Sequence, residues 1–229
     1  MTTLIIATRN AHKVEEIRGI LGPQFEFLTL RDLSNAPAVI EDAHTFAGNA
    51  TKKAMELARW LSVQSSEFRV QGSKFVLADD SGLEVDALHG APGVHSARFA
   101  ALDGGPAGNS SDAENNAKLL RLLRSIPAEQ RSARFRCVIA LTPVLPPRSV
   151  NASPVCAADE RELQTETFDG ACEGRITFAP SGAKGFGYDP LFVPNGFEQS
   201  FAELGEEVKN RISHRAKALE KLRKRFTAP

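Results

Sequence analysis

Short apolar runs alternate with segments of helical periodicity through the first part of the chain. Residues 3–7 and 25–30 have the apolar character of strands, and residues 11–21 place apolar side chains three and four positions apart. A second helix is predicted over about residues 45–61, and residues 75–78 form another apolar run. This order of elements predicts an α/β fold.

The second part of the chain continues the alternation. Residues 83–88 alternate like a half-exposed strand, and residues 112–126 carry a wide apolar stripe at helical spacing. Further strands are predicted at 134–142 and 164–178, and one long helix at 206–226. Strands are still interleaved with helices here, so the second part favours the same fold class.

Length and charge exclude several classes of protein. The 229 residues are predicted to form a single domain with two lobes, residues 1–229. No apolar run approaches the roughly 18 residues that span a bilayer, and no secretory leader pattern is visible, so we expect a cytoplasmic protein without a membrane partner. The 28 basic residues balance 28 acidic ones, which disfavours a nucleic-acid partner.

Cysteines and irregular segments add little chemistry. Cys137, Cys156 and Cys172 are odd in number and lack C-x-x-C spacing, which disfavours a disulfide framework and a zinc site. Polar or proline-rich stretches near residues 62–73 and 144–162 are predicted to be surface excursions.

Residues 8–13 follow a strand and open a helix. Unpaired main-chain N–H groups and the helix dipole favour an anion at such a place. Lys13 would add a positive charge for phosphate oxygens, and Thr8 and Asn10 would add polar contacts. The segment lacks the glycines of a Walker loop, so taken alone it is better explained as a capped helix with a solvated lysine.

Two adjacent carboxylates, Asp79 and Asp80, end the apolar run of residues 75–78. Like charges at this spacing are costly unless a cation lies between them and a partner, and Mg2+ needs only one or two protein carboxylates besides substrate phosphates. Asp80 is therefore a candidate metal ligand or proton acceptor, with Glu41 as a second acidic ligand. Alternatively, the two acids cap a turn before Gly82.

Glycines surround two aromatic residues in the segment 182–190. Phe186 could offer a flat face to a purine, and Asp189 could accept a hydrogen bond from a ring N–H. The alternative is a β-turn with Phe186 in the core.

Lys209, His214 and Arg215 form a group of hydrogen-bond donors near the start of the last helix. Donors favour a purine with a keto oxygen at position 6 over adenine, whose amino group would leave donors unpaired at about 1–3 kcal/mol each. Lys209 is better placed to reach phosphate. Individually, all three could be surface charges.

Seven short motifs lie in order along the chain: Thr8-x-Asn10-x-x-Lys13, Thr45-Phe46, Ala78-Asp79-Asp80-Ser81-Gly82-Leu83, Gly90-Ala91-Pro92-Gly93, Ser96-Ala97-Arg98, Phe186-Gly187-Tyr188-Asp189-Pro190 and Ile212-Ser213-His214-Arg215. With these motifs the sequence resembles the inosine triphosphate pyrophosphatase family, also called XTP/dITP diphosphatases. The resemblance extends from about residue 3 to about residue 222.

The resemblance implies magnesium-dependent cleavage of ITP, dITP or XTP, which are purine nucleoside triphosphates, into the monophosphate and pyrophosphate. It also implies an elongated mixed β-sheet flanked by helices, in two lobes around a central cleft, and a homodimer. By this resemblance, the substrate phosphates would be bound by Thr8, Arg9, Asn10, Ala11, His12, Lys13 and Lys209. Asp80 would accept the proton and bind the metal, and Ser81 would contact the substrate. The nucleoside would be bound by Phe186, Gly187, Tyr188 and Asp189, and the 6-keto base would be recognised by His214 and Arg215.

One departure affects the metal site. Gly48 stands where family members often have a glutamate, so a metal or water-holding role there is lost or moved, and Glu41 becomes the preferred second ligand beside Asp80.

Two other functions stay open. A phosphatase of the haloacid dehalogenase type would use an acid after a strand as nucleophile, although that class requires Asp-x-Asp, and a nucleotide sensor would keep the pocket without turnover.

Overall fold

The computed structural model describes residues 1–33, 35–64, 73–104, 108–145 and 164–227. In these residues the strands form one mixed six-stranded sheet. The strand order is β2-β1-β3-β4-β5-β6. Strand β1 is parallel to β2 and β3, whereas β5 and β6 are antiparallel. The strands are β1 (Thr2–Ile6), β2 (Phe25–Thr29), β3 (Lys74–Val85), β4 (Ser132–Pro143), β5 (Glu166–Ile176) and β6 (Phe192–Pro194).

The helices of the described ranges are α1 (Ala11–Leu21), α2 (Phe46–Val63), α3 (Asp112–Leu122), α4 (Phe201–Ile212) and α5 (His214–Thr227). Helices α1 to α3 lie between strands, and helices α4 and α5 follow β6. Short 3-10 segments lie at Asp86–Leu88, Gly93–Arg98, Ala100–Asp103 and Ala128–Gln130. Within the described ranges, every helix is too short or too polar to cross a membrane. The predicted α/β class is confirmed. The predicted excursions near 62–73 and 144–162 lie mostly outside the described residues, and residues 62 and 63 belong to α2.

The chain divides into two compact units. The first contains residues 1–80 and 138–168, and its buried core includes Leu4, Ile17 and Leu57. The second contains residues 81–137 and 169–229, with an aromatic core in which the rings of Phe135 and Phe192 are 4.8 Å apart. Strand β3 passes from one unit to the other between two of the predicted site residues, Asp80 and Ser81.

Two predicted boundaries are wrong in a way that matters for the site. The motif 79–82 neither ends a strand nor caps a turn, because β3 continues through it to Val85. Apolar residues on both sides keep the segment in the sheet, since Ala78 and Leu83 are fully buried. The adjacent carboxylates are therefore held by extended backbone, which points successive side chains to opposite faces.

The predicted single helix at 206–226 is also wrong, because Ser213 separates α4 from α5. Ser213 has an extended conformation (φ −67°, ψ 163°), and its Oγ accepts a hydrogen bond from Ala216 N at 3.1 Å. A serine in this role caps the helix that follows it. The break places His214 and Arg215 in the first turn of α5. The prediction of 112–126 as helix is four residues too long, because α3 ends at Leu122, and the strand predicted at 83–88 ends at Val85.

Candidate functional site

The turn between β1 and α1 is a capped helix start. Asn10 Oδ1 accepts a hydrogen bond from Lys13 N at 3.3 Å, and Thr8 Oγ1 accepts one from Asn10 N at 3.2 Å. Thr8 and Lys13 are half-buried, whereas four neighbours are exposed: Arg9, Asn10, Ala11 and His12. The predicted cap is present, and it leaves the first-turn N–H groups at the positive end of α1.

Lys13 also forms an ion pair within the first unit. Its Nζ donates a hydrogen bond to Asp79 Oδ1, and the Asp79 carboxylate is buried. A buried carboxylate needs such a partner, because its desolvation is otherwise unfavourable. The contact joins residues 66 positions apart and fixes the ammonium group beside the acidic motif.

Lys53 brings two further carboxylates together. Its Nζ donates to Asp80 Oδ1 at 2.9 Å and to the Asp79 carbonyl at 2.8 Å, and it lies 3.3 Å from Glu41 Oε1. Helix α2 supplies a second partner, since Asn49 Nδ2 donates to Asp80 Oδ2 at 3.2 Å. We call Lys13, Glu41, Lys53, Asp79 and Asp80 the carboxylate–lysine cluster.

Burial and neighbouring charges shift the pKa values of two members of this cluster, Asp80 and Lys53. Desolvation raises the pKa of Asp80 above its ordinary value of 3.8, and the ammonium groups of Lys53 and Lys13 offset only part of this effect. Burial alone would lower the pKa of Lys53, but the carboxylates of Asp80 and Glu41 outweigh it, so that pKa lies above its ordinary value. Asp80 is therefore a stronger base than an exposed aspartate, next to a lysine that stays charged.

The oxygen atoms of this cluster suit a hard cation. Glu41 and Asp80 converge on one point, because a single Lys53 Nζ lies within 3.3 Å of an oxygen of each. In the part of the chain that the structure describes, no group of three or more His, Cys, Asp or Glu could hold a metal. Magnesium commonly takes one or two carboxylates and completes its shell with phosphates and water. The pair fits an ion of that kind.

Gly48 provides no carboxylate and leaves little room for one. Its N–H donates to the capping oxygen of Thr45 at 3.0 Å. A Cβ atom at position 48 would lie 2.8 Å from Ala43 Cβ, which is too close without a shift. The main chain of Ala43 is itself tied to α2, because Ala43 N donates to Asn49 Oδ1 at 2.9 Å. This tether fixes the loop that carries Glu41.

A second group of predicted residues lies in the second unit. Arg215 is 1% exposed, and its Nη2 donates to Ser81 Oγ at 2.9 Å. Its guanidinium carbon is also 6.0 Å from the centroid of the Phe186 ring. Ser81 and Phe186 are therefore linked through one cation, and we call Ser81, Phe186, Asp189, Lys209 and Arg215 the aromatic–cation cluster.

Lys209 and Asp189 form the buried ion pair of this cluster. Lys209 Nζ lies 2.6 Å from Asp189 Oδ2 and 4.4 Å from the centroid of the Phe186 ring. The same Asp189 oxygen accepts from Phe186 N at 2.9 Å. The Asp189 carboxylate thus shapes the 186–189 loop, and Lys209 stabilises one face of the Phe186 ring by a cation–π contact.

Tyr188 and His214 are turned towards the core of the second unit. The Tyr188 hydroxyl is buried and donates to the Ser96 carbonyl at 2.9 Å, and burial raises its pKa. The His214 ring is 4% exposed and stacks on Phe135, with centroids 4.8 Å apart. His214 thus fixes the start of α5 on the aromatic core.

Gly170 on β5 allows α5 to approach the sheet. A Cβ atom there would lie 2.1 Å from the His214 carbonyl oxygen and 2.7 Å from Ala218 N. Both are main-chain atoms, so the helix would have to move. Only a glycine permits this spacing, and the position of Arg215 depends on it.

Replacing Gly170 by alanine should therefore destabilise the protein. We expect Gly170→Ala to lower the free energy of unfolding by about 1–3 kcal/mol, as overpacking does. Urea denaturation would measure the change. Gly19→Ala is the matched control, because Gly19 is exposed inside α1 and alanine should stabilise that helix by about 0.5–1 kcal/mol. Equal effects at the two positions would show that the close approach is not decisive.

The sequence prediction omitted two residues that contact Asp80. Asn49 and Lys53 lie one helical turn apart on the buried face of α2, among Ala50, Ala54 and Leu57. Polar residues in such a stripe require partners, and this signal could have identified them.

Known proteins match this chain over nearly its whole length. The profile of the Ham1 family matches residues 4–225. A protein from Opitutus terrae named dITP/XTP pyrophosphatase is 42% identical, with 94% of each chain covered. One of the same name from Desulforamulus reducens is 44% identical, covering 95% of this chain and 92% of the other. A solved HAM1 protein from Coxiella burnetii is 34% identical, with both chains fully covered and a TM-score of 0.75.

Proposed function

Because the chain belongs to the Ham1 family, we propose that it hydrolyses purine nucleoside triphosphates with non-standard bases, namely ITP, dITP and XTP, to the monophosphate and pyrophosphate. The names of relatives more than 40% identical over nearly their full length support this activity. The observation that carries the chemistry is the carboxylate–lysine cluster, in which a buried aspartate of raised pKa lies 2.9 Å from a lysine ammonium group.

Asp80 acts as the proton acceptor in this proposal. Its Oδ1 and Oδ2 are oriented by Lys53 and Asn49. A water molecule attacks a phosphorus of the α–β anhydride in line, its proton passes to Asp80, and the anhydride bond breaks as pyrophosphate leaves. A positioned general base typically contributes about 10²–10⁴ in rate, and a pKa raised towards the working pH makes the acceptor more effective.

Glu41 and Asp80 would hold Mg2+ together with substrate phosphates. A bound magnesium ion neutralises phosphate charge and lowers the pKa of a coordinated water. Lys53 Nζ now lies between the two carboxylates, so it can turn towards phosphate oxygens while Glu41 and Asp80 face the cation. Gly48 supplies nothing here, which leaves these two acids as the protein's share of the shell.

Lys13, Lys53 and the N-terminus of α1 stabilise negative charge on the phosphates. Asp79 holds the Lys13 ammonium in place before substrate arrives. The first-turn residues Thr8 to Lys13 present main-chain donors to the same groups. Losing one preorganised donor of this type typically reduces the rate by about 10²–10³.

The aromatic–cation cluster selects the base. Phe186 provides a flat face, and Arg215 donates to a keto oxygen at position 6 while Ser81 orients its guanidinium. His214 supports Arg215 from the aromatic core. An adenine amino group would meet donors only, which disfavours ATP. We further propose that the protein is cytoplasmic and forms a homodimer. Sedimentation analysis of the purified protein would test the dimer.

Pyrophosphate release from a panel of triphosphates tests the proposal. With magnesium, we expect kcat/KM for ITP, dITP and XTP to exceed that for ATP by at least about 10²-fold, and chelation of the metal to abolish turnover. Release of orthophosphate instead would favour a phosphatase with an aspartate nucleophile. Binding of ITP without turnover would indicate a nucleotide sensor.

A further inference from the structure

Helix α3 holds both main-chain polar groups of Gly187. Asp112 Oδ2 accepts a hydrogen bond from Gly187 N at 2.6 Å, and Asn116 Nδ2 donates to Gly187 O at 3.0 Å. The two side chains lie four positions apart, and therefore on the same face of the helix. Each contact joins residues more than 70 positions apart in sequence.

No atom packs against Gly187 on the side where a side chain would lie. Its φ of 64° is in the left-handed region, and a Cβ atom at this position would meet no atom within 4 Å. An unpacked glycine with this backbone freedom has many alternative conformations. The two hydrogen bonds from α3 hold the main chain of Gly187 itself in one of them, next to the Asp189 contacts that close the 186–189 loop.

Neither side chain is needed to begin the helix. Ser111 and Glu114 form a complete capping box, in which Ser111 Oγ accepts from Glu114 N and Glu114 Oε2 accepts from Ser111 N. Asn116 Oδ1 is buried and makes no hydrogen bond with any residue that the structure describes. An unpaired buried acceptor costs about 1–3 kcal/mol. An asparagine at this position is therefore unfavourable apart from its bond to Gly187.

The conformation of Gly187 is transmitted to the Phe186 ring. Phe186 precedes it, and Tyr188 follows it and is anchored through its hydroxyl to Ser96. Ser96 Oγ in turn accepts from Leu83 N at 2.9 Å, two residues after Ser81. Hydrogen bonds thus connect α3, the 186–189 loop and the segment of β3 that contacts Arg215.

We propose that Asp112 and Asn116 are positioning residues for purine recognition, a role that rests on the proposed function. They fix the Gly187 main chain, which sets the orientation of Phe186 before the base binds. A loop held in its binding conformation loses less entropy when the ligand binds. We call Asp112 and Asn116, bonded to the main chain of Gly187, the clamp. The clamp raises affinity and selectivity for the base without taking part in phosphate chemistry.

Four variants test this role. Asp112→Ala and Asn116→Leu each remove one hydrogen bond, whereas Asp112→Asn retains an acceptor. Arg121→Ala is the control, because Arg121 also lies on α3 and the change removes an exposed ion pair with Asp103. We expect Asp112→Ala and Asn116→Leu to raise KM for ITP about tenfold, with kcat within about threefold of wild type. The preference for ITP over ATP should fall by a similar factor, and Asp112→Asn and Arg121→Ala should stay near wild type.

Asn116→Leu separates positioning from folding. Because it removes an unpaired buried acceptor, its melting temperature should stay close to that of wild type while KM rises. Unchanged KM and unchanged base preference in both clamp variants would overturn the proposal. So would an Asp112→Asn variant as impaired as Asp112→Ala. If wild type released no pyrophosphate from ITP, the proposed function would fail instead, which is a separate outcome of the same assay.

Discussion

Asp80→Asn should reduce pyrophosphate release from ITP by at least about 10³-fold, because amide nitrogen and oxygen cannot accept the proton of the attacking water. The substitution preserves the size of the side chain, and its one oxygen can still accept from Lys53 or from Asn49, which donate to different oxygens of Asp80. Substrate affinity should change much less than kcat. Steady-state kinetics with ITP and magnesium would measure both quantities.

Stability provides an independent signature for the same variant. Burial raises the pKa of Asp80, so the folded state binds more protons than the unfolded state between pH 3.8 and the raised value. The free energy of unfolding therefore falls as pH rises through this interval and remains lower above it. Asparagine mimics the protonated side chain. The melting temperature of Asp80→Asn minus that of wild type should therefore rise between pH 3.8 and neutral pH, while its absolute value also reflects loss of a carboxylate that pairs with Lys53.

Asp169→Asn is the control for both measurements. Its carboxylate is exposed and pairs with Lys221 at the surface, so the change should alter neither rate nor stability appreciably. Near-normal turnover by Asp80→Asn would exclude Asp80 as the base. A difference in melting temperature between Asp80→Asn and wild type that does not rise with pH would contradict the assignment of a raised pKa to this residue.

Local sequence patterns predict the elements well where periodicity and capping agree. The helix predicted at 11–21 matches α1, because its apolar spacing begins directly after the capping residue Asn10. Strand β1 is displaced by one residue only. Parallel pairing of β1 with β3 places the turn after β1 beside the acidic motif, which accounts for the contact between Lys13 and Asp79.

Tertiary contacts decide the features that the sequence patterns do not show. The acidic motif contains residues typical of turns, yet β3 continues through it because Lys13, Lys53 and Asn49 compensate the buried carboxylates. These partners come from α1 and α2, far away in sequence. The break at Ser213 is likewise invisible to periodicity, since apolar positions recur on both sides of it. The clamp from α3 onto Gly187 gives no local signal at all.

Arg215→Lys should remove most of the discrimination between ITP and ATP. Lysine keeps the positive charge, but it lacks the planar fork that lets one guanidinium bond Ser81 and a keto oxygen together. Loss of one hydrogen bond to a charged group costs about 1.5–3 kcal/mol, or about 10- to 150-fold in kcat/KM for ITP. Because ATP offers no acceptor at position 6, its kcat/KM should change by less than about threefold.

A double-mutant cycle with Ser81→Ala identifies the origin of this effect. If Ser81 acts by orienting Arg215, the loss in the double variant should be smaller than the two single losses combined, because the second change removes a contact that is already broken. Arg223→Lys is the matched control, since Arg223 lies on the same helix and pairs only at the surface with Glu220. Equal losses for ITP and ATP in Arg215→Lys would assign Arg215 to the phosphates or to folding, and additive losses would separate Ser81 from base recognition.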